Sequence, residues 1–167
     1  MAEYSFIEKY RVRLENAKTY AEIWNLVKDN VEFYLHTRRR GMMLFLDDLP
    51  IRLGAYHPIG TNNIVLNRRL VQVVEAANES QRSVNALIYN LLIHEYLHAL
   101  GKYSEIDVRR LVYEIARKCF GEDYVATILA KKSPWALLRG IPFDVINAPR
   151  RVMEIVKDFE KADDYVI

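Results

Sequence analysis

Residues 91–101 read Leu-Leu-Ile-His-Glu-Tyr-Leu-His-Ala-Leu-Gly, and His94, Glu95 and His98 are the side chains there whose types and spacing carry chemistry. Residues four apart on a helix project from nearly the same side. His94 and His98 can therefore hold one metal ion between them. Glu95 follows the first histidine directly, where a carboxylate reaches a water on that metal. The HExxH spacing suits zinc-assisted hydrolysis. Zinc acidifies its water and polarises a substrate carbonyl. Glu95 takes the proton from that water and passes it to the leaving amine.

A bare HExxH arises by chance, so its surroundings decide its weight. Between Gln81 and Gly101 the only charged residues are Arg82 and Glu95. The pattern lies well inside a helix predicted from the periodicity. Val84, Leu87, Leu91, His94 and His98 follow one another at spacings of three and four, so the histidines extend an apolar stripe. The bland alternative is two satisfied core histidines beside an accidental glutamate. A carboxylate on an apolar helix face is costly without a partner, and no Lys or Arg shares its turn. A metal ion supplies the missing charge, so the metal reading is preferred.

The elements that position these residues belong to a chain of 167 residues, enough for a single domain over 1–167 with a proper core. It is 51% hydrophobic and 28% charged, like an ordinary globular protein. A net charge of +2 leaves no general nucleic-acid footprint, and no nucleic-acid partner is expected. The single cysteine, Cys119, falls on an apolar helix face, excludes an internal disulfide and rules out a Cys-rich structural zinc site. No signal peptide or apolar run long enough to span a membrane is visible, so a cytoplasmic location is expected.

Helices are predicted over 5–18 and from Thr19 to about Leu35, where Thr19 and Glu22 resemble a capping box. Arg38, Arg39 and Arg40 read as a solvated helix end. Three short strands follow, at Met42–Leu46, Ile51–Tyr56 and Asn63–Asn67, and suggest a small, mostly antiparallel sheet. Arg68–Asn78 is a short helix or a connection. Ser80 starts the motif helix and Gly101 stops it. Ser104 caps a further helix over about 105–120, closed by Gly121, and Asp123–Lys132 is helical too. Ser133-Pro134 opens a short helical turn, 141–147 is an irregular link, and Pro149–Lys161 is a last amphipathic helix. The fold class is therefore α+β and mainly helical.

With these elements placed, the chain resembles the zincin metallopeptidases, and among them the gluzincins, in the small form known as minigluzincins. The resemblance covers about residues 42–120, as a catalytic core with N- and C-terminal helical extensions. It implies a zincin-like fold, a catalytic Zn2+, peptide or protein substrates, His94 and His98 as ligands, Glu95 as general base and Glu105 as third ligand. It also implies that Asn63–Asn67 is an edge strand pairing with an extended substrate, which makes Asn63, Ile64 and Val65 substrate-binding candidates. His57, Tyr56, Tyr103 and Arg109 are candidates for stabilising the oxyanion, and Arg109 for meeting a substrate carboxylate. The metzincin pattern HExxHxxGxxH matches at Gly101 but has Ser104 where its third histidine belongs.

Helix geometry gives Glu105 a second support. A reversal at Gly101 brings the start of the following helix beside His98. Glu105 is in its first turn, whereas Glu114 lies two and a half turns further along, facing solvent among Arg110, Arg117 and Lys118. The expected function is a zinc metallopeptidase. A zinc-binding regulatory or interaction module is the alternative, and Glu95 favours the enzyme because a non-enzyme needs no base.

Overall fold

A computed structural model of the chain describes residues 2–77, 80–133 and 148–161. The described residues form α1 (Ala2–Asn16), α2 (Tyr20–Leu35), β1 (Met43–Asp47), β2 (Ala55–Tyr56), β3 (Asn63–Asn67), α3 (Arg68–Ala76), α4 (Gln81–Ala99), α5 (Glu105–Phe120), α6 (Val125–Lys132) and β4 (Glu154–Ile155). The architecture is mixed α+β and mainly helical, with a small sheet.

Local signals start and stop the helices. Thr19 Oγ1 accepts from the Glu22 N–H, and the Glu22 carboxylate accepts from the Lys18 N–H. Ser80 Oγ accepts from the Ser83 N–H at the head of α4. At the other end of α4 the Gly101 N–H donates to His98 O and the Lys102 N–H to Leu97 O. This is a Schellman turn, and it needs the positive φ that Gly101 adopts at 97°. The chain then reverses. Ser104 Oγ accepts from the Asp107 N–H and starts α5, which stops at Gly121, again at positive φ.

Helix α4 is the centre of the domain. Every residue from Val84 to Ile93 is buried, and the helix packs against α2, α5 and α6 along with α1, α3 and two strands. Its apolar positions are therefore not confined to one stripe. Trp24 packs edge-on against Tyr96 of this helix and stacks on Phe159, with ring centroids 4.8 Å apart in each case.

The sheet differs from expectation. It has four strands in the order β2-β3-β1-β4 among the described residues. Its longest pairing, β1 with β3, is parallel, from Met43 opposite Asn63 to Asp47 opposite Asn67. The β2–β3 and β1–β4 pairings are antiparallel. The predicted strand at Ile51–Tyr56 shrinks to Ala55–Tyr56. Asn67 accounts for the turn before it: its side-chain amide donates to Leu49 O, Pro50 O and Leu53 O, while its oxygen accepts from three backbone N–H groups.

The C-terminal helix expected at Pro149–Lys161 is absent among the described residues, which hold β4 instead. Arg150 donates to the buried Asp47 and Arg151 to the buried Asp48. These clamps lay the segment along β1, where the Val156 N–H donates to Leu44 O. The helical turn predicted after Ser133 and the link over 141–147 lie outside the described residues. The arginines after α2 are not a solvated end: Arg38 pairs with Asp29 and Glu32, and the Arg39 guanidinium donates to Ala99 O, Thr61 O and Asn62 Oδ1. Arg39 thereby ties the end of α4 to the loop before β3. No described helix is long and apolar enough to cross a membrane.

Candidate metal centre

The Schellman turn and the Ser104 cap set the first turn of α5 against the last turns of α4. His94 Nε2, His98 Nε2 and a Glu105 oxygen converge there, each within 4.8 Å of the others. His94 Nε2 lies 3.0 Å from Glu105 Oε2, His98 Nε2 lies 2.8 Å from Glu105 Oε1, and the two imidazole nitrogens are 3.3 Å apart. Zinc bonded tetrahedrally at about 2.0–2.1 Å sets neighbouring donors about 3.4 Å apart. The histidine pair meets that spacing. The carboxylate contacts are a few tenths of an ångström closer, on an exposed side chain with room to shift.

The protonation pattern also fits a cation. His98 Nδ1 is 2.7 Å from Lys102 O. A carbonyl oxygen only accepts, so Nδ1 carries hydrogen and the neutral ring presents a lone pair at Nε2. That lone pair faces a carboxylate oxygen. Two acceptors at 2.8 Å need a positive charge between them, either a proton or a metal ion. The same turn that ends α4 thus fixes the His98 tautomer, the arrangement a metal-ligating histidine would need. Burial lowers the pKa of His94 below its ordinary value, although Glu105 pulls the other way. Burial works to raise Glu105, but His94 and His98 outweigh it and hold the carboxyl below the usual range. Both shifts favour the forms that bind metal, neutral imidazole and ionised carboxylate.

Glu95 is buried, at 7% exposure, yet borders the same cleft. Burial pushes its carboxyl up to about 7, with His98 opposing and Glu105 adding to the rise. A carboxyl that titrates near neutrality can both take and return a proton.

The cleft has a volume of about 640 Å³ and runs from His94 and Glu105 between α4, α5 and the end of α6. His94 opens onto it, and both histidines are only partly buried, rather than facing the core as the stripe implied. Arg109 lines it. His57, Tyr56 and Tyr103 are not among its lining residues. His57 Nδ1 meets Asn63 O at 2.8 Å, and Tyr103 is exposed beyond the turn. Glu114 accepts from Tyr34 Oη and faces Arg110, away from the site.

The substrate-strand assignment needs correction. Strand β3 has β1 on one side and β2 on the other, so Asn63, Ile64 and Val65 do not form a free edge next to the cleft. The edge that borders the cleft is Leu53-Gly54-Ala55. The Asn67 N–H donates to Gly54 O, and Tyr56 lies opposite Val65. Alternate residues of an antiparallel pair share the bonds, so Ala55 directs its N–H and C=O outward. Sequence reasoning missed this edge, and it missed Asn90, Tyr113, Lys131 and Lys132 on the cleft wall. Asn90 had a signal, since it stands one turn before His94. The lysines had none, because tertiary packing alone brings α6 there.

Comparisons with protein-family models, with curated proteins and with solved structures give no match.

Proposed function

We propose that the chain is a zinc-dependent peptidase of gluzincin type, with His94, His98 and Glu105 as ligands and Glu95 as the general acid and base. The observation that carries this reading is a buried carboxyl, poised near neutral pH, beside three convergent metal donors. Bound zinc would supply an acidified water and a Lewis acid for the substrate carbonyl. The chain's own groups do the rest. Glu95 accepts the water's proton on its carboxylate and delivers it to the leaving nitrogen. Lys102 O keeps His98 in its ligating tautomer. The outward N–H and C=O of Ala55 can hold an extended peptide as an added strand. The order of edge strand, HExxH helix and glutamate-bearing helix is what supports a zincin-like reading of the fold. A peptide or protein is the proposed substrate.

The test is cleavage of a diverse peptide mixture by zinc-loaded protein, followed by mass spectrometry, beside Glu95→Gln. Cleavage by the parent and loss of about a thousandfold or more in the variant is expected. Zinc binding without cleavage would make the chain a metal-binding module instead.

A further inference from the structure

Beyond the metal ligands, the cleft has a marked charge asymmetry. Besides His94, its charged lining comprises the carboxylates Glu95 and Glu105 and four cationic side chains: Arg109, Arg110, Lys131 and Lys132. Glu105 is committed to the metal site. Arg110 is also committed, since it faces Asp107 at 3.4 Å and Glu114 at 3.8 Å. Arg109, Lys131 and Lys132 have no hydrogen-bond or ion-pair partner among the described residues. They come from two different helices, α5 and α6, yet border one concave space.

Lysines in the last turn of a helix are favoured by its dipole, and this accounts for Lys131 and Lys132 taken alone. It does not account for Arg109, which sits in the second turn of α5, away from the favourable end of that helix. Nor does it account for three exposed cations from two helices bordering one cleft. A cleft whose uncommitted charges share one sign concentrates ligands of the other sign.

We propose that the cleft selects acidic peptides, with Arg109, Lys131 and Lys132 receiving a substrate carboxylate close to the bond that is cut. The proposal rests on the peptidase reading and names its substrate class. Arg109 is one helical turn beyond Glu105, about 6 Å along the axis. An extended peptide advances about 3.4 Å per residue. The carboxylate therefore sits within about two residues of the scissile bond. It belongs either to an Asp or Glu side chain or to the C-terminus of a short peptide. Arg109 offers a planar fork for bidentate contact, and the lysines add point charges.

The experiment measures binding and cleavage separately. Zinc-loaded Glu95→Gln protein is titrated with fluorescent octapeptides of matched length: one with central Asp and Glu residues and an amidated end, one neutral with a free C-terminus, one neutral and amidated, and one basic. Anisotropy reports binding at low and high salt. The same peptides are offered to the parent enzyme. The expected result is binding of a carboxylate-bearing peptide about tenfold or more tighter than the neutral amidated one, with the gap closing in high salt. Whichever of the first two peptides binds better identifies the side-chain or the terminal source. Adding Arg109→Gln should weaken that binding about tenfold, as should the pair Lys131→Gln and Lys132→Gln. Arg110→Gln removes the same formal charge from the same wall and should change it less than about threefold. Equal binding of all four peptides, or preference for the basic one, overturns the proposal. So does an Arg110→Gln loss equal to that of Arg109→Gln. Cleavage without acidic preference removes the proposal and keeps the peptidase. Acidic preference in binding with no cleavage keeps the cleft assignment and removes the peptidase.

Discussion

Metal-free Glu95→Gln protein should be more stable than the parent above neutral pH. The Glu95 carboxyl titrates at about 7 in the folded chain, against 4.5 for an unburied glutamate. Each tenfold change in proton affinity is worth about 1.4 kcal/mol. The ionised form is thus disfavoured in the fold by about 3 kcal/mol, and glutamine, which is neutral and nearly the same shape, escapes that penalty. The sign depends on pH. Below about 4.5 the carboxyl is protonated in both folded and unfolded chains, and parent and variant should match. Between 4.5 and 7 the unfolded chain releases its proton first, so the parent loses stability as pH rises. Above 7 the gap should be full and constant. Urea denaturation in the presence of a chelator, at pH 4 and pH 8, measures it. A gain of about 2–3 kcal/mol at pH 8, or about 5–10 °C in Tm, with no gain at pH 4, is expected. Equal stability at pH 8, or a gap that widens towards acid, would refute the argument that Glu95 is held in a dry site.

Asn67→Ala removes a cap and three donated hydrogen bonds from a buried amide; a loss of about 2–4 kcal/mol in denaturant unfolding is expected, and a loss below about 1 kcal/mol would show the amide does not hold the turn before β2. Arg39→Ala releases Ala99 O, Thr61 O and Asn62 Oδ1 together; amide exchange in the last turn of α4 should quicken and stability fall by about 1–3 kcal/mol, whereas unchanged exchange there would deny Arg39 its tie. Asp48 is held well below the usual carboxylate range by the Arg151 guanidinium, with help from Arg68. Its contribution is present above about pH 4 and lost as pH falls further, so the Val156 N–H should lose exchange protection in acid before the core of α4 does. Simultaneous loss at both places would contradict that order.

The site was more legible in the sequence than the sheet, for a physical reason. His94, Glu95 and His98 are related by one helical turn, and Glu105 reaches them through a reversal that Gly101 and Ser104 announce locally. All of this is encoded within a dozen residues. Strand order is not local. Nothing in Asn63–Asn67 says that β1 will run parallel on one side and β2 antiparallel on the other, so its place at an edge could not be read. The segment after Pro149 misled differently. Val152, Val156 and Phe159 recur at spacings of four and three, a helical pattern. The ion pairs of Arg150 and Arg151 with Asp47 and Asp48, more than a hundred residues earlier, override it. The cationic wall depends in the same way on α6 docking against α4 and α5. Arg109 could be nominated from its place one turn after Glu105, but Lys131 and Lys132 could not.

The central claim is one zinc held by His94, His98 and Glu105. Calorimetric titration of chelator-treated protein with zinc, for the parent, Glu105→Ala and Glu114→Ala, tests it most directly. The expected result is about one zinc per chain in the parent, affinity lowered at least about a hundredfold in Glu105→Ala, and parent-like binding in Glu114→Ala. No zinc uptake by the parent, or equal affinity in the parent and Glu105→Ala, would contradict it.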